Sequence, residues 1–442
     1  MPAKTRLPKE YSRHRVFLFF SAFFGYGWYI VNRTSYTATV PAIMEEFRYG
    51  KQELGLITSS FALSYALSKV LLGIVSDYIS PKFVFAGGLA LSGAFNVAFG
   101  MSNSLLSMCG LWFVNGLAQG AGWPPVAKLI KTWVLDHESG RWWSTISTSM
   151  NLAAGLHALL SGTIILLLGW RYVFYISGVT AFVISLFILL VTKNRPEDVG
   201  LLSLEELEQK SDDAIQKRIQ VVNDVERQRP KLSALFHDYF LWVISIGYLL
   251  VSMIRGTLAD AGWGQLYLIQ EKNATKLDAA DAMGSFQLGG LFGSLLVGFA
   301  SDYLVIRYPA IGPYARVPVL CVCTAVLAVA MNILIFSAIL TKVWIACIFF
   351  ILGACIFGPI SIFGMLAVQN AQKGLEGSSH SVAALAAQVG QFLAGYPFGL
   401  LATQIDWLPA LLLLEAAALI VTTVFAIVTV KKLGQLTKSK TN

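Results

Sequence analysis

The chain has 442 residues, 56% of them hydrophobic and only 13% charged, with a net charge of +8 and a mean hydropathy of +0.64. Soluble domains average about 25% charged residues, so this composition excludes an ordinary water-soluble domain. The apolar runs are about 20 residues long and lack the alternation of barrel strands, which leaves membrane-spanning helices.

A basic arm (Lys4, Arg6, Lys9, Arg13, Arg15) leads directly into the first apolar run. No small-residue cleavage site intervenes, so no cleavable leader is expected. Spans are predicted near 16–37, 54–79, 83–102, 105–127, 142–168 and 170–192. The stretch 193–235 mixes both charge signs (Glu205, Glu206, Lys210, Asp212, Lys217, Arg218) and reads as a solvated linker. Six further spans follow near 239–269, 278–306, 315–338, 342–370, 378–402 and 405–430. The expected fold class is an all-α membrane protein of twelve transmembrane helices in two pseudo-symmetric six-helix bundles. Its expected parts are an N-terminal bundle over 1–192, a cytoplasmic linker over 193–238, a C-terminal bundle over 239–430 and a cytoplasmic tail over 431–442.

An even number of spans puts both termini on one side. Lys82, Lys128, Lys131, Arg307, Arg316, Lys431 and Lys432 gather with the termini and the central loop, which marks that side as cytoplasmic. The same placement accounts for the basic balance without nucleic acid. Cys109, Cys321, Cys323, Cys347 and Cys355 lie in or beside apolar runs and suggest no disulfide framework. No catalytic dyad or metal-ligand cluster stands out, so neither an enzyme, a metal site nor a cofactor is expected.

The two halves repeat. Gly73-Ile74-Val75-Ser76-Asp77 closes the second span of the first half, and Gly298-Phe299-Ala300-Ser301-Asp302 closes the second span of the other. Each half also has one arginine in its first span, Arg33 and Arg255. Such repetition implies a substrate held between halves that alternate their access, with Asp77 and Asp302 in gating loops. An arginine within the bilayer is costly and usually functional. Guanidinium forks match phosphate oxygens and stay charged, so the implied ligand is an anion, most simply a phosphate ester. The alternative is that each arginine snorkels to a headgroup.

Lys69 lies mid-span and is a third candidate cation, or one half of an ion pair. Deep acids are scarce: Asp260 lies near Arg255 and balances it, which leaves Glu415 without an assigned role. His157 reads as a packed polar residue, and His380 sits in a small, polar stretch open to substrate contact. With few proton relays, anion-for-anion exchange is the expected mechanism. In Asn115-Gly116-Leu117-Ala118-Gln119-Gly120-Ala121-Gly122-Trp123-Pro124-Pro125, Asn115 and Gln119 share a helical face, and Trp123 offers a ring for a sugar to stack on. The site for the sugar is expected near Gln119, Trp123 and Asn151.

The Gly-x-x-x-Asp loops resemble the signature of the major facilitator superfamily. Asn32-Arg33, Lys69 followed by its loop, Gly120 to Pro125, and Trp263-Gly264-Gln265 look like the organophosphate:phosphate antiporters. Leu56 to Ser60, Trp112 to Pro125, Ser147 to Leu152, Gln270-Glu271-Lys272 and Phe392 to Phe398 are similar to the branch that serves the endoplasmic reticulum of animals. The resemblance runs from about residue 16 to 430. It implies exchange of glucose 6-phosphate for inorganic phosphate, with functional coupling to a lumenal glucose-6-phosphatase. Exchange of another organophosphate such as glycerol 3-phosphate, or sensing of the ester without transport, are the alternatives. The family's phosphate-binding cations fall on Arg33 and Arg255, and Tyr29, Trp263 and Gln265 join them as implied substrate contacts. This chain departs from the pattern in three places. Arg255 stands where that branch often has lysine. Ala261 and Gly262 separate Asp260 from Trp263. Met150 stands about where bacterial relatives have a histidine. The tail lysines Lys438 and Lys440 resemble a retrieval signal of the endoplasmic reticulum. The sequon at Asn273 falls in a loop expected to be lumenal.

Overall fold

The computed structural model describes residues 9–204, 237–337, 341–372 and 375–441. The core of the expected linker, 205–236, lies outside these residues. The apolar runs become helices because only a helix satisfies every backbone group within one segment in lipid. In chain order they are α1 (Lys9–Phe47), α2 (Lys51–Tyr78), α3 (Pro81–Gly100), α4 (Leu105–Gln119), α5 (Trp123–Trp133), α6 (Asp136–Leu168) and α7 (Trp170–Val191). The second half gives α8 (Tyr239–Arg255), α9 (Trp263–Glu271), α10 (Lys276–Arg307), α11 (Val317–Phe336), α12 (Lys342–Gln369), α13 (Glu376–Leu393), α14 (Tyr396–Gln404) and α15 (Trp407–Thr441).

Among the described residues, eight helical segments are long and apolar enough to cross a membrane. Of the other crossings of the twelve-helix fold, α1 carries Arg33, and the side chains of α2 are described only as far as Ser68. The fourth crossing breaks between α4 and α5, where Gly120 to Gly122 precede Pro124 and Pro125. The eleventh breaks at Ala394–Gly395, between α13 and α14. Pro lacks a backbone donor and clashes with the preceding turn, so it starts a helix far better than it continues one.

By packing, the chain divides into two units. The first comprises Met1–Tyr36, Leu63–Ala154 and Ile164–Gln228. Inside it α3 crosses α7 through glycines: a β-carbon on Gly93 would stand 2.7 Å from Gly178 O, and one on Gly178 2.6 Å from Gly93 O. Lipid supplies no hydrophobic drive between helices, so close backbone approach through small residues does this work. A core of Tyr11, Leu18, Phe85, Leu89, Val126 and Trp133 closes the end of the unit nearest the N-terminus.

The second unit comprises Thr37–Ala62, Gly155–Thr163 and Arg229–Asn442. It joins the six crossings of the second half to the far ends of α1, α2 and α6. Gly289, Gly293 and Gly353 bring α10 and α12 into backbone contact. At the end remote from the termini, Ser59 Oγ donates to Phe392 O at 3.2 Å and accepts from Tyr396 N at 2.7 Å. Lys51 Nζ reaches Ala402 O at 2.9 Å, and Thr37 Oγ1 reaches Asp260 O at 2.7 Å. α1, α2 and α6 therefore each contribute residues to both units.

Candidate substrate site

Arg33 and Arg255 lie in equivalent crossings, and both are half-buried. The Arg33 guanidinium lies over the ring of Tyr65 in α2, 4.4 Å from the centroid. Its Nη2 donates to Gln119 Oε1 at 3.4 Å. Arg255 repeats the arrangement with different groups. It lies over Phe357 of α12 at 4.8 Å, and the acceptor is a carboxylate, with Nη2 3.4 Å from Asp260 Oδ1. Its Nε lies 3.4 Å from Asp260 Oδ2. A cation over a desolvated aromatic face gains roughly 2 kcal/mol, which offsets part of the cost of holding it in the bilayer.

Local backbone places Asp260. Gly256–Asp260 form one wide π-turn, closed by Ala261 N donating to Gly256 O at 2.7 Å. Gly262 follows at φ +81°, a left-handed conformation that glycine takes without strain. The π-turn thus ends α8 and turns Asp260 back to Arg255, and Gly262 lets α9 start afresh at Trp263.

Gln119 is 2% exposed, and its amide is held on every side. Its Nε2 donates to Tyr29 O at 3.0 Å and to Ser92 Oγ at 3.1 Å, with Asn115 Oδ1 at 3.4 Å. Asn115 in turn bonds Asn96, and Asn96 bonds Asn32 and Ser177. The expected shared face of Asn115 and Gln119 exists, but it looks into this network. Tyr29 is buried as well, its hydroxyl donating to Phe85 O at 2.8 Å. Asn151 is 4% exposed, and its Oδ1 is buried with no hydrogen-bond partner among the described residues. Trp123 is half-buried against Tyr26, with ring centroids 4.8 Å apart.

In the second unit Trp263 is fully buried. Its Nε1 donates to Ala394 O at 2.8 Å, and its ring packs beside Phe398 and Trp407. Gln265 is buried on α9. His380 is exposed, with Nδ1 3.4 Å from Gly364 O. Asp302 accepts from Arg316 Nη1 at 2.6 Å, and the same nitrogen donates to Ser301 Oγ at 2.7 Å. Arg316 Nε reaches Gln369 Oε1 at 3.2 Å, which ties α10 to α12; the two Gly-x-x-x-Asp motifs lie within the last turns of α2 and α10 rather than in the loops expected of them. The side chains of Lys69 and Asp77 lie outside those described. Tyr65 and Phe357, the rings beneath the arginines, were not among the sequence candidates. Nor were Ser92 and Asn96, although a pair of polar residues four apart in apolar α3 is a legible sign of an inward polar face.

Residues 17–395 match the Major Facilitator Superfamily. The chain belongs to this superfamily, in its organophosphate:phosphate antiporter branch. It is 31% identical to a probable hexose phosphate transport protein of Chlamydia muridarum, over 93% of this chain and 90% of that one. It is 28% identical to the membrane sensor protein UhpC of Escherichia coli (95% and 93%). It is 26% identical to a glycerol-3-phosphate transporter of Bacillus subtilis (91% and 89%). In fold it is similar to a bacterial homologue of the human lysosomal transporter Spinster, solved inward-facing and unoccupied. The TM-score is 0.76 at 15% identity, over 97% of this chain and 99% of that one. The protein is therefore a multi-pass membrane protein of a transporter family and not an enzyme.

Proposed function

We propose that this transporter exchanges glucose 6-phosphate for inorganic phosphate across the endoplasmic-reticulum membrane by alternating access. The observation that carries the phosphate half is the matched setting of Arg33 and Arg255. Each guanidinium is half-buried and lies over an aromatic face beside a hydrogen-bond acceptor, in equivalent spans of the repeat. A guanidinium carries its donors in a planar fork that suits phosphate oxygens.

The sugar half rests on Asn151. A buried acceptor without a donor is costly to leave unmade, and a hexose hydroxyl is a donor that would satisfy Oδ1. The half-buried ring of Trp123 adds an apolar face of the kind sugars stack on. The hexose phosphate relative supports the same substrate class. Placement in the endoplasmic reticulum, with cytoplasmic termini and coupling to a lumenal glucose-6-phosphatase, rests on the sequence stretches shared with the branch that works there.

The similarity to a membrane sensor protein supports a second reading, in which the ester is bound but not moved. Counterflow separates the two. Proteoliposomes loaded with phosphate should take up labelled glucose 6-phosphate in preference to glycerol 3-phosphate. Preference for glycerol 3-phosphate would reassign the substrate, and binding without uptake would favour the sensor. A tagged copy should give reticular staining, and plasma-membrane or mitochondrial staining would overturn the location.

A further inference from the structure

We propose that Gln119 is a positioning residue, which aims the Arg33 guanidinium at phosphate and touches neither the phosphate nor the sugar. The proposal rests on the phosphate-exchange reading above and concerns how the first arginine is held.

The argument starts from what each group can do. A backbone carbonyl only accepts, whereas an amide side chain has a donor end and an acceptor end. Tyr29 O faces Gln119 at 3.0 Å, so the nitrogen end of Gln119 must point there. A second route gives the same answer. Asn32 O faces Asn96 Nδ2 at 3.2 Å, which leaves Asn96 Oδ1 to accept from Asn115 Nδ2 at 2.7 Å. Asn115 must then present Oδ1 to Ser92 Oγ at 3.0 Å and to Gln119 Nε2 at 3.4 Å. Two backbone carbonyls of α1 thus fix the sense of the whole chain of amides, and both routes turn Gln119 Oε1 toward Arg33.

A reversed amide would set N–H groups against the guanidinium donors. It would also strand a buried acceptor against Tyr29 O, a loss on the order of 1–3 kcal/mol. Asn32, Ser92, Asn96, Asn115, Ser177 and Gln119 are each no more than 2% exposed, so no solvent competes for these bonds. The same closure denies a ligand access to the Gln119 amide. In a low-dielectric interior a fully satisfied network of this kind is rigid. What it delivers to the site is a guanidinium whose Nη2 meets Gln119 Oε1 and whose plane lies over Tyr65.

The test separates positioning from contact. Gln119→Leu should raise the half-saturating concentration about tenfold, the scale of one lost hydrogen bond to a charged group. It should do so equally for inorganic phosphate in phosphate:phosphate exchange and for glucose 6-phosphate, with a smaller effect on the maximal rate. Ser92→Ala, which removes one acceptor of Gln119 Nε2 and leaves Arg33 and Gln119 in place, should move both constants in the same direction by less. Gln119→Glu puts a carboxylate against Arg33 and should weaken phosphate further than leucine does. If Gln119→Leu weakens only the ester, Gln119 is a sugar contact and the proposal fails. If it lowers only the maximal rate or the yield of folded protein, and Ser92→Ala leaves both constants unchanged, the network is merely structural and the proposal fails. Absence of phosphate exchange by the unaltered chain would overturn the transport reading itself.

Discussion

Gly55→Ala should open the end of the transporter remote from its termini. Gly55 lies in α2 opposite the break between α13 and α14. A β-carbon there would stand 2.9 Å from Gly395 O and from Tyr396 Cα, and 3.0 Å from Gly395 C. All three are backbone atoms, so no change of rotamer clears them. Overpacking of this kind costs about 1–3 kcal/mol. Alanine also returns roughly 1 kcal/mol of helix propensity, but that gain accrues wherever α2 is helical, docked or not. Only the clash distinguishes the two arrangements, and it lowers the ratio of docked to undocked α2 roughly 5- to 150-fold. The Tyr396 amide reports the change directly, because it donates to Ser59 Oγ only while α2 is docked. In hydrogen exchange on the protein in lipid nanodiscs, residues 392–399 should exchange faster by about that factor, while the amides within α2 keep their protection. Steady-state exchange transport should slow as the conformational equilibrium tilts. Native protection across 392–399 together with native transport would refute the reasoning.

Arg33→Ala or Arg255→Ala should abolish phosphate exchange and leave membrane insertion intact, and substantial residual exchange would remove that residue from the site. Phosphate efflux from loaded vesicles should be slow until phosphate or ester is added outside, and equal efflux into empty buffer would rule out obligatory exchange. At the N-terminal end, burial, then Arg13 and Lys193, hold the His14 imidazole below its ordinary pKa of 6.5, against the Trp133 ring. The folded arm then binds fewer protons than the unfolded one, so its stability is full above about pH 6.5 and falls as pH drops toward the lowered value. Limited proteolysis at Arg13 should accelerate between pH 7.5 and 5.5, and His14→Gln should remove the acceleration.

The twelve crossings, the repeat and both arginines were legible in the sequence, because lipid leaves no doubt about a 20-residue apolar run and makes any cation inside one conspicuous. What was not legible is which apolar or polar side chain faces where. In α10, Phe286 is fully buried whereas Phe299 is 73% exposed. Lipid and protein core accept the same side chain, so the amphipathic period that sorts faces in soluble helices fades. For the same reason Tyr65 and Phe357 carried no mark as the rings beneath the arginines. Trp263 and Tyr29 carried the mark of a motif, yet they lie buried, with their polar atoms bonded to backbone carbonyls. Gln119 lies on the expected face of α4, and only the structure shows that α1 and α3 hold its amide.

The two arginines are alike in span and in aromatic support, but they differ in acceptor, and the difference has a structural origin. In a regular α-helix, residue i+5 points about 140° away from residue i. Asp260 could not face Arg255 on a continued α8. The π-turn widens the helix by one residue, which brings i+5 back toward the face of i. Gly262, at positive φ, then lets the chain leave that turn without strain. The π-turn closed by Ala261 is therefore what makes a carboxylate available to Arg255, while Arg33 meets a neutral amide whose sense is fixed from behind. The amide itself carries no charge, whereas a carboxylate does and competes with an anion for the donors it holds.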